Sequence, residues 1–415
     1  MTQPMIRVVV LHPRDLAAPT LGGIQTFLHD FVKHSPADFD ITVAGVTQDP
    51  DERPIGRRSR VRIGKRDAWL LPLAPAGRMG RNPLNLWRML GAQLRLRQLL
   101  LGRHAILQVH RPFRPLVLAG HRGPRVQFVH LDIRYWPGPS GWPRLGHLYR
   151  PFSDSAIERM ARVYVVNEPG TELLRDAHPA MAERIEFIPV WFDEEVFRPP
   201  SDSERAALRV ALLDRLGVPD AGREDRLILF AGRLEEVKDP ALALAAFADV
   251  ARRGRSVRLV VAGDGALREA MDIAARQLGL AERVHFVGDQ ARDELAELMR
   301  ATDVLLLSSR TEGGGPRVVL EALASGMPVV ATPVGDVART VRSGVNGWLT
   351  TGHDAAELAD GLEWALDQPL DQVRGEAVAA VAPYTARRVL EPLYAAYREL
   401  AVAGADAQPA PRRST

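Results

Sequence analysis

A glycine loop in the second half of the chain has residue types that can bind a phosphate. Three consecutive glycines, Gly313, Gly314 and Gly315, lie between an apolar run at 304–307 and an Ala- and Leu-rich stretch that Pro316 opens. Proline suits the first turn of a helix, so this order predicts a strand, a loop and a helix. Glycine lets backbone N–H groups approach an anion closely, and a helix N-terminus adds partial positive charge.

Glu321 could bind a sugar beside that phosphate. It lies about five residues into the predicted helix, roughly 7–8 Å along the axis at about 1.5 Å per residue. A diphosphate at the loop would bring the ribose of a nucleotide near this carboxylate, which can accept hydrogen bonds from both hydroxyls of a diol. The alternative is a solvated carboxylate on a helix that follows an ordinary turn.

Two cations follow another predicted strand, at 226–231. Arg233 and Lys238 come after its carboxyl end, where they could hold a diphosphate. The alternative is a solvated loop with surface charges. Gly263 follows the next strand in a Gly-Asp-Gly sequence, although Gly-x-Gly alone is weak evidence for a nucleotide.

Glycines and histidines are the candidate groups of the first half. Gly22 and Gly23 precede a helical pattern at 24–32 and form a candidate anion or substrate site, although such pairs are common.

Two predicted strands, 106–110 and 126–130, each end in a histidine. Ligand groups lie at the carboxyl ends of strands in open α/β sheets, which makes His130 and, less strongly, His110 candidates. The alternative for each is a hydrogen-bonded structural histidine.

Positive charge is concentrated over residues 53–125, which contain seventeen lysines and arginines and the single acid Asp67. Such a field attracts an anionic surface or substrate. We predict a polar loop at 51–66 and a helix at 82–103, where arginines, Trp and Leu are typical of a membrane-surface helix. The alternative is a core helix whose arginines reach outward. Without a recognised motif or an aromatic platform, we do not expect nucleic-acid binding.

Length and composition indicate a two-domain globular protein. A chain of 415 residues can hold two α/β domains, and 46% hydrophobic with 25% charged residues is ordinary for soluble proteins. The absence of cysteine excludes disulfides and thiolate metal sites. Neither a signal peptide nor a run of about 20 apolar residues is apparent. We therefore expect a cytoplasmic protein, peripheral on the inner face of the membrane through its basic region.

Taken together, several motifs resemble those of glycosyltransferase family 4, the retaining GT-B enzymes that use nucleotide sugars. The match covers nearly the whole chain and is strongest over 227–349. The motifs are Phe-Ala-Gly-Arg-Leu-Glu-Glu-Val-Lys-Asp-Pro at 230–240, Val-Val-Ala-Gly-Asp-Gly at 260–265, Val-His-Phe-Val-Gly at 284–288, the stretch from Thr311 to Ala331, and Gly-Val-Asn-Gly-Trp-Leu at 344–349.

The resemblance implies an α/β fold of the GT-B type, with two Rossmann-like domains facing each other across a cleft. We expect an acceptor-side domain at 1–193 and a nucleotide-sugar domain at 194–383. A helix at 384–402 would return to the first domain, and 403–415 would be a disordered tail.

The resemblance also implies roles for the candidate residues. Arg233 and Lys238 would bind the donor diphosphate and stabilise the leaving group, and Glu321 would bind the ribose. Glu312 would face the donor sugar, and His130 would lie beside that sugar in the cleft. The further nucleotide-binding residues implied are Gly22, Gly23, Gly263, Gly313, Gly314, Gly315, Pro316, Arg317 and Val318.

The spacing of the two glutamates departs from the family pattern. The family has Glu-x7-Glu, a separation of eight, whereas 321 − 312 = 9 here because the loop has one more glycine. Either the extra glycine bulges and Glu312 keeps its place, which we favour because glycine tolerates a bulge, or the sugar-facing carboxylate is displaced.

The function implied is transfer of a sugar from a UDP- or GDP-linked donor to an acceptor hydroxyl with retained configuration, in cell-envelope glycan, polysaccharide or glycolipid synthesis. The acceptor would be a glycan or a lipid-linked sugar, and we expect neither a cofactor nor a metal. The alternatives are a glycosyl phosphorylase or synthase of GT-B type, and a non-catalytic glycan-binding subunit.

Overall fold

The structure, a computed structural model, describes residues 5–12, 15–17, 23–75, 105–110, 121–130, 155–218 and 224–406. The chain divides into two compact units. The first unit combines Met1–Ile188 with Arg387–Thr415, and the second is Pro189–Ala386. The divisions therefore fall at 188/189 and 386/387, where the sequence suggested 193/194 and 383/384.

The first unit contains an eight-stranded sheet in the order β3-β4-β2-β1-β5-β6-β7-β8. All neighbouring strands pair in parallel except β3 and β4. The strand order reverses between β1 and β5, which are hydrogen-bonded neighbours. The strands are β1 (Ile6–Leu11), β2 (Phe39–Thr47), β3 (Ser59–Ile63), β4 (Arg66–Pro75), β5 (Ile106–Val109), β6 (Arg125–Val129), β7 (Arg162–Val165) and β8 (Ile185–Phe187).

The loop predicted at 51–66 is wrong for its second half, since β3 and β4 form an antiparallel hairpin at the edge of this sheet. Along β3 the exposed Arg60 and Arg62 alternate with less exposed neighbours, and Ile63 is buried. This period of two is that of a strand, which the density of charge obscured in the sequence. Both arginines form ion pairs with Asp67 of β4. Charged side chains on an edge strand oppose pairing with other chains.

The α-helices described in the first unit include α1 (Gly23–Lys33), α2 (Glu168–Ala177) and nearly all of the helix Ala386–Asp406, here α10. Because α10 continues to Asp406, the tail predicted to be disordered from 403 is helical over its first residues. Residues 407–415 and the predicted helix at 82–103 lie outside the described residues.

The second unit contains a six-stranded sheet in the order β11-β10-β9-β12-β13-β14, with every neighbouring pair parallel. The chain adds β10 and β11 on one side of β9 and then returns to place β12 on the other side. The strands are β9 (Arg226–Ala231), β10 (Val257–Ala262), β11 (Val284–Gly288), β12 (Val304–Leu307), β13 (Val329–Ala331) and β14 (Gly347–Leu349).

Helices cover both faces of the second sheet. Leu227 and Leu229 of β9 pack in one apolar core with Leu323, whereas Ile228 and Phe230 pack in another with helix 240–252. A parallel sheet needs this double covering because both faces of its strands are apolar. The helices are α3 (Asp202–Arg215), α4 (Pro240–Arg252), α5 (Arg268–Gln277), α6 (Arg292–Ala301), α7 (Arg317–Ala324), α8 (Ala355–Asp367) and α9 (Leu370–Val381).

Among the described residues, no helix has the length and apolar content needed to cross a membrane.

Candidate functional site

The loops that follow the strands of the second sheet lie along one edge, because all six strands run parallel. The loop after β9 and the loop after β12 are neighbours at the point where the strand order reverses. In open α/β sheets, ligands bind outside the carboxyl ends of the strands at such a switch point. The predicted candidates of this half are distributed over these loops and the helix that follows β12.

Lys238 and Glu312 form an ion pair that joins the two loops. Ser309 donates a hydrogen bond of 2.8 Å from its hydroxyl to the same Glu312 Oε1 that Lys238 contacts. The side chains of Lys238 and Glu312 are only 20% and 14% exposed. The structure therefore brings together a cation and a carboxylate that the sequence separates by 74 residues.

The backbone around Lys238 is fixed by residues that the sequence reasoning did not single out. Ser308 Oγ lies 2.9 Å and 2.8 Å from the carbonyl oxygens of Lys238 and Asp239, to which it can donate. Asp239 has a left-handed backbone with φ of 45° and caps α4 by accepting a hydrogen bond from Leu242 N. Arg310 pairs with the Asp239 carboxylate at 2.7 Å. A lysine held at both its backbone and its ammonium group is a fixed charge, which suits electrostatic stabilisation.

Two glycines allow the loops to pack directly against one another. Gly263 has φ of 136°, and a Cβ there would lie 2.0 Å from the carbonyl oxygen of Gly232. Gly335 has φ of 52°, and a Cβ there would lie 2.1 Å from the carbonyl oxygen of Gly314. Both positions therefore require glycine for its conformation and for the space it leaves. Gly263 therefore packs against the start of the loop that carries Arg233 and Lys238.

Arg233 extends from the same loop as Lys238 but makes a different contact. Its guanidinium group donates to Glu235 at 2.7 Å, and its side chain is 69% exposed. Exposed ion pairs contribute little to stability, so the guanidinium can exchange Glu235 for a doubly charged anion at small cost.

The glycine loop runs into α7 as the sequence predicts. Pro316 is the N-cap residue with φ of −64°, and Arg317 is the first helical residue. The Arg317 guanidinium donates to the Trp191 carbonyl at 2.6 Å and lies over the Trp191 ring, while Val318 packs against the apolar core. A ligand contact by Arg317 or Val318 would therefore come from the backbone N–H groups of the first turn, which lack intrahelical acceptors. Glu321 is one turn further on and is only 5% exposed.

In the first unit, the strand order reverses between β1 and β5, which end next to His12 and His110. His130 follows β6, the next strand, and its Nε2 lies 2.8 Å from His110 Nδ1. Burial holds the pKa of His110 well below its usual value. Electrostatic repulsion from His130, and then from His12, lowers this pKa further. Gly23 is the first residue of α1, whereas Gly22 lies outside the described residues.

Three comparisons with known proteins agree with this geometry. Residues 218–380 match the family described as glycosyl transferases group 1. A D-inositol 3-phosphate glycosyltransferase of Nocardia farcinica is 34% identical over 240 residues, which are 54% of this chain and 51% of the relative. The chain thus spans about half the length of the curated relative it matches.

Solved structures resemble nearly the whole chain. Sucrose-phosphate synthase from Thermosynechococcus elongatus has a TM-score of 0.77 at 19% identity, covering 96% of this chain and 100% of that one. HepE of Anabaena, solved with UDP and glucose, has a TM-score of 0.70 at 20% identity, covering 95% and 99%. At such identities the likeness shows the fold alone.

The two parallel-sheet units make up a GT-B fold, as the sequence predicts. The resemblance to the group 1 glycosyltransferases of family 4 is confirmed over residues 218–380, the segment that the family model matches.

Proposed function

We propose that this chain is a retaining glycosyltransferase, which moves a sugar from a UDP- or GDP-linked donor to an acceptor hydroxyl. The main observation behind the proposal is the Lys238–Glu312 pair at the switch point of the second sheet. Glu312 directly precedes the glycine loop, which leads into the N-terminus of α7. These are the groups that a diphosphate and its attached sugars require. The family match of residues 218–380 supports the same activity.

In this proposal, Lys238 and Arg233 bind the donor diphosphate. Departure of the nucleotide leaves negative charge on the phosphate oxygens, and fixed cations stabilise that charge as it develops. Lys238 is anchored by Ser308 and Glu312, whereas Arg233 has only its exposed pair with Glu235 to give up. Lys238 therefore supplies the preorganised charge, and Arg233 closes on the diphosphate when the donor binds.

Each of the two glutamates binds a different sugar of the donor. Glu321, buried one turn into α7, binds the ribose diol, and Glu312 faces the transferred sugar with the N–H groups of residues 313–315. Glu312 keeps this role despite the additional glycine, since its carboxylate is directed by Lys238 and Ser309. His130 contacts the donor sugar, and Gly22 and Gly23 contribute near the phosphate and the acceptor.

Retention follows from the chemistry that the resemblance implies. The acceptor hydroxyl attacks on the face that the diphosphate leaves, and a phosphate oxygen takes its proton, so no protein nucleophile is needed. Arg233 and Lys238 neutralise charge as Mg²⁺ does in other transferases, and we propose no metal or cofactor.

The acceptor is proposed to be a glycan or a lipid-linked sugar of the cell envelope, reached from the cytoplasm at the inner face of the membrane. The described part of the basic region supports this, because Arg60 and Arg62 of the β3–β4 hairpin and Arg57 just before it are exposed. Anionic lipids attract such basic segments by about 1 kcal/mol per charge near the surface.

A panel of UDP-, GDP- and ADP-sugars tests the proposal by thermal shift and by product analysis. A donor at about 100 times its Kd should stabilise the fold by about 2.7 kcal/mol. Transfer to an acceptor should give a glycoside with the donor's anomeric configuration in its NMR spectrum. If no nucleotide sugar stabilises the protein, the proposal is wrong; a phosphorylase or a non-catalytic subunit is then the better reading.

A further inference from the structure

Four polar side chains of the first unit form a continuous hydrogen-bonded chain. Tyr397 of α10 donates from its hydroxyl to Gln108 Oε1 at 2.6 Å. Gln108 Nε2 lies 2.7 Å from His110 Nε2, and His110 Nδ1 lies 2.8 Å from His130 Nε2. The last link is the candidate sugar-binding histidine, and the first is on a helix 289 residues away from Gln108 in sequence.

The inner three members are deeply buried. Gln108 and Tyr397 are 0% exposed and His110 is 3% exposed. A polar group that is removed from water needs an internal partner, or it costs about 1–3 kcal/mol. The chain therefore persists in the folded protein, and each member constrains the next one.

The direction of the hydrogen bonds follows from the donors and acceptors present. The tyrosine hydroxyl donates to the oxygen of the Gln108 amide, so the amide NH₂ faces His110 Nε2, which must accept. A neutral imidazole carries one hydrogen, which for His110 is then on Nδ1 and is donated to His130 Nε2. The remaining hydrogen of His130 is therefore on Nδ1. The low pKa of His110 agrees with a neutral ring inside this chain.

Aromatic packing holds the two imidazoles in this orientation. The His110 and His130 rings lie in nearly parallel planes, 18° apart, with their centroids 5.1 Å apart, which suits a hydrogen bond between ring edges. Phe27 of α1 meets both edge-on, at 5.1 Å from His110 and 5.2 Å from His130. A flip of the His130 ring would replace its accepting Nε2 by a carbon and leave the His110 N–H without its acceptor.

We propose that Tyr397, Gln108 and His110 are positioning residues that hold His130 in the Nδ1–H tautomer with a fixed ring orientation. Any hydrogen bond that His130 makes at Nδ1 is then one in which it donates, so it serves as a neutral donor to a hydroxyl oxygen and not as a general base. That His130 meets a sugar hydroxyl rests on the proposed function; the tautomer and its control by Tyr397 do not.

Histidine-selective ¹⁵N labelling of the full chain tests the tautomer directly. Long-range ¹H–¹⁵N correlation spectra distinguish a protonated from an unprotonated ring nitrogen, and single-histidine variants assign the signals. The proposal expects His110 and His130 both to be protonated at Nδ1 only. An Nε2–H tautomer for either ring in the wild-type protein would overturn it.

Two variants test control from the far end of the chain. Tyr397→Phe keeps the ring but frees the Gln108 amide to turn, so a mixture of His130 tautomers should appear. Gln108→Glu offers only acceptors, so both histidines should switch to Nε2–H. The matched control is Tyr394→Phe, which removes a buried hydroxyl of the same helix that donates to the Phe31 carbonyl at 2.7 Å. If Tyr397→Phe leaves the His130 spectrum as unchanged as Tyr394→Phe does, the proposal is wrong.

Measurements of turnover distinguish a failure of this proposal from a failure of the proposed function. Once the donor is identified, Tyr397→Phe should lower kcat/KM by about threefold to tenfold relative to Tyr394→Phe, because that factor corresponds to the free energy of one hydrogen bond. Nδ1–H tautomers in a protein that transfers no sugar would refute the enzyme assignment and leave the positioning chain in place. Equal kcat/KM for the two tyrosine variants would refute the positioning role while transfer itself stands.

Discussion

The two sheets use the same topological device to hold different chemistry. In the second unit the loops beyond β9 and β12 present an ion pair, Lys238 with Glu312, at the reversal of strand order. In the first unit the strands β1 and β5 end next to the imidazoles of His12 and His110, and a hydrogen bond joins His130 to His110. A fixed cation suits a diphosphate, whereas a neutral donor with a defined tautomer suits a sugar hydroxyl.

The difference teaches how each kind of group is held in place. Lys238 is fixed by residues of the neighbouring loop, so two short sequence motifs contain the residues that surround it. The tautomer of His130 depends on a tyrosine of the last helix, so it requires the completed tertiary structure.

The largest effect should come from removing a charge from the second unit. Arg233→Ala should lower turnover by about 100-fold or more, because one of the two cations that stabilise the charge developing on the leaving phosphate is lost. Steady-state kinetics with the best donor measure it. Arg276→Ala is the matched control, because Arg276 is equally exposed and pairs with Asp272 on α5. Equal activity of the two variants would remove Arg233 from the mechanism.

A smaller but measurable effect should come from the packing of the loops. Gly263→Ala should destabilise the second unit by about 1–3 kcal/mol through backbone strain, with more from the close approach to Gly232. Urea unfolding with and without nucleotide measures both the stability and the binding. Gly288→Ala isolates the strain, since its φ is 72° and no atom lies within 4 Å of the added Cβ. Gly263→Ala should therefore cost more and weaken nucleotide binding, and an equal cost would show that the loop contact is unimportant.

The two units should also differ in their response to acid. The pKa of His110 is lower in the folded protein than its ordinary value of 6.5, so the unfolded chain binds the proton first as pH falls. The resulting stability is present above about pH 6.5 and is lost below it, by at most about 1.4 kcal/mol per pH unit. His285 of the second unit has the same sign, because burial and Arg258 lower its pKa, but it is only half-buried.

Hydrogen exchange at pH 7.5 and 5.5 would resolve the two units. We expect the strands around His110 to lose more protection than those around His285, and His285→Gln to remove the acid response of the second unit alone. If the second unit of the wild-type protein lost more protection than the first, the expectation that the first unit is more sensitive to acid would be wrong.

The smallest expected effect is at the surface of α10. Arg398 makes two hydrogen bonds to Asp38, at 2.9 and 3.1 Å, and these chiefly lower the pKa of that carboxyl. Because folding lowers the pKa of Asp38, its ionised carboxylate stabilises the folded protein above its ordinary pKa of 3.8. This stabilisation is lost as the pH falls through the lower pKa that Asp38 has in the folded protein. Because the pair is partly exposed, Arg398→Met should cost at most about 1 kcal/mol at pH 7 and less at pH 2. A larger cost, in urea unfolding at both pH values, would mean that the arginine's packing matters more than its charge.

Much of the fold was predictable because local signals agree with tertiary position. The strands β9 and β12 were predicted with their observed bounds, since each is an apolar run bounded by polar or turn residues. The helix after the glycine loop was predictable from Pro316 and the Ala- and Leu-rich stretch that it opens. The hairpin β3–β4 was missed because its arginines resemble a solvated loop unless their alternation is noticed.

The candidate site was predictable in part, and the limit is physical. Lys238, Glu312 and Glu321 follow strands, and topology puts strand ends together. No such rule pairs Tyr397 with Gln108, since that contact depends on where the last helix packs. Ser308 and Ser309 directly follow β12, and this position was the available signal for their role at the same edge.

Calorimetry of diphosphate binding tests the central claim most directly. The better of UDP and GDP should bind the wild-type protein at least about tenfold more tightly than its nucleoside, because Lys238 and the glycine loop hold the phosphates. Lys238→Met should weaken that preference while leaving nucleoside binding unchanged, and Arg276→Met should keep it. Equal preference in Lys238→Met and the wild type, with both proteins folded, would contradict the account.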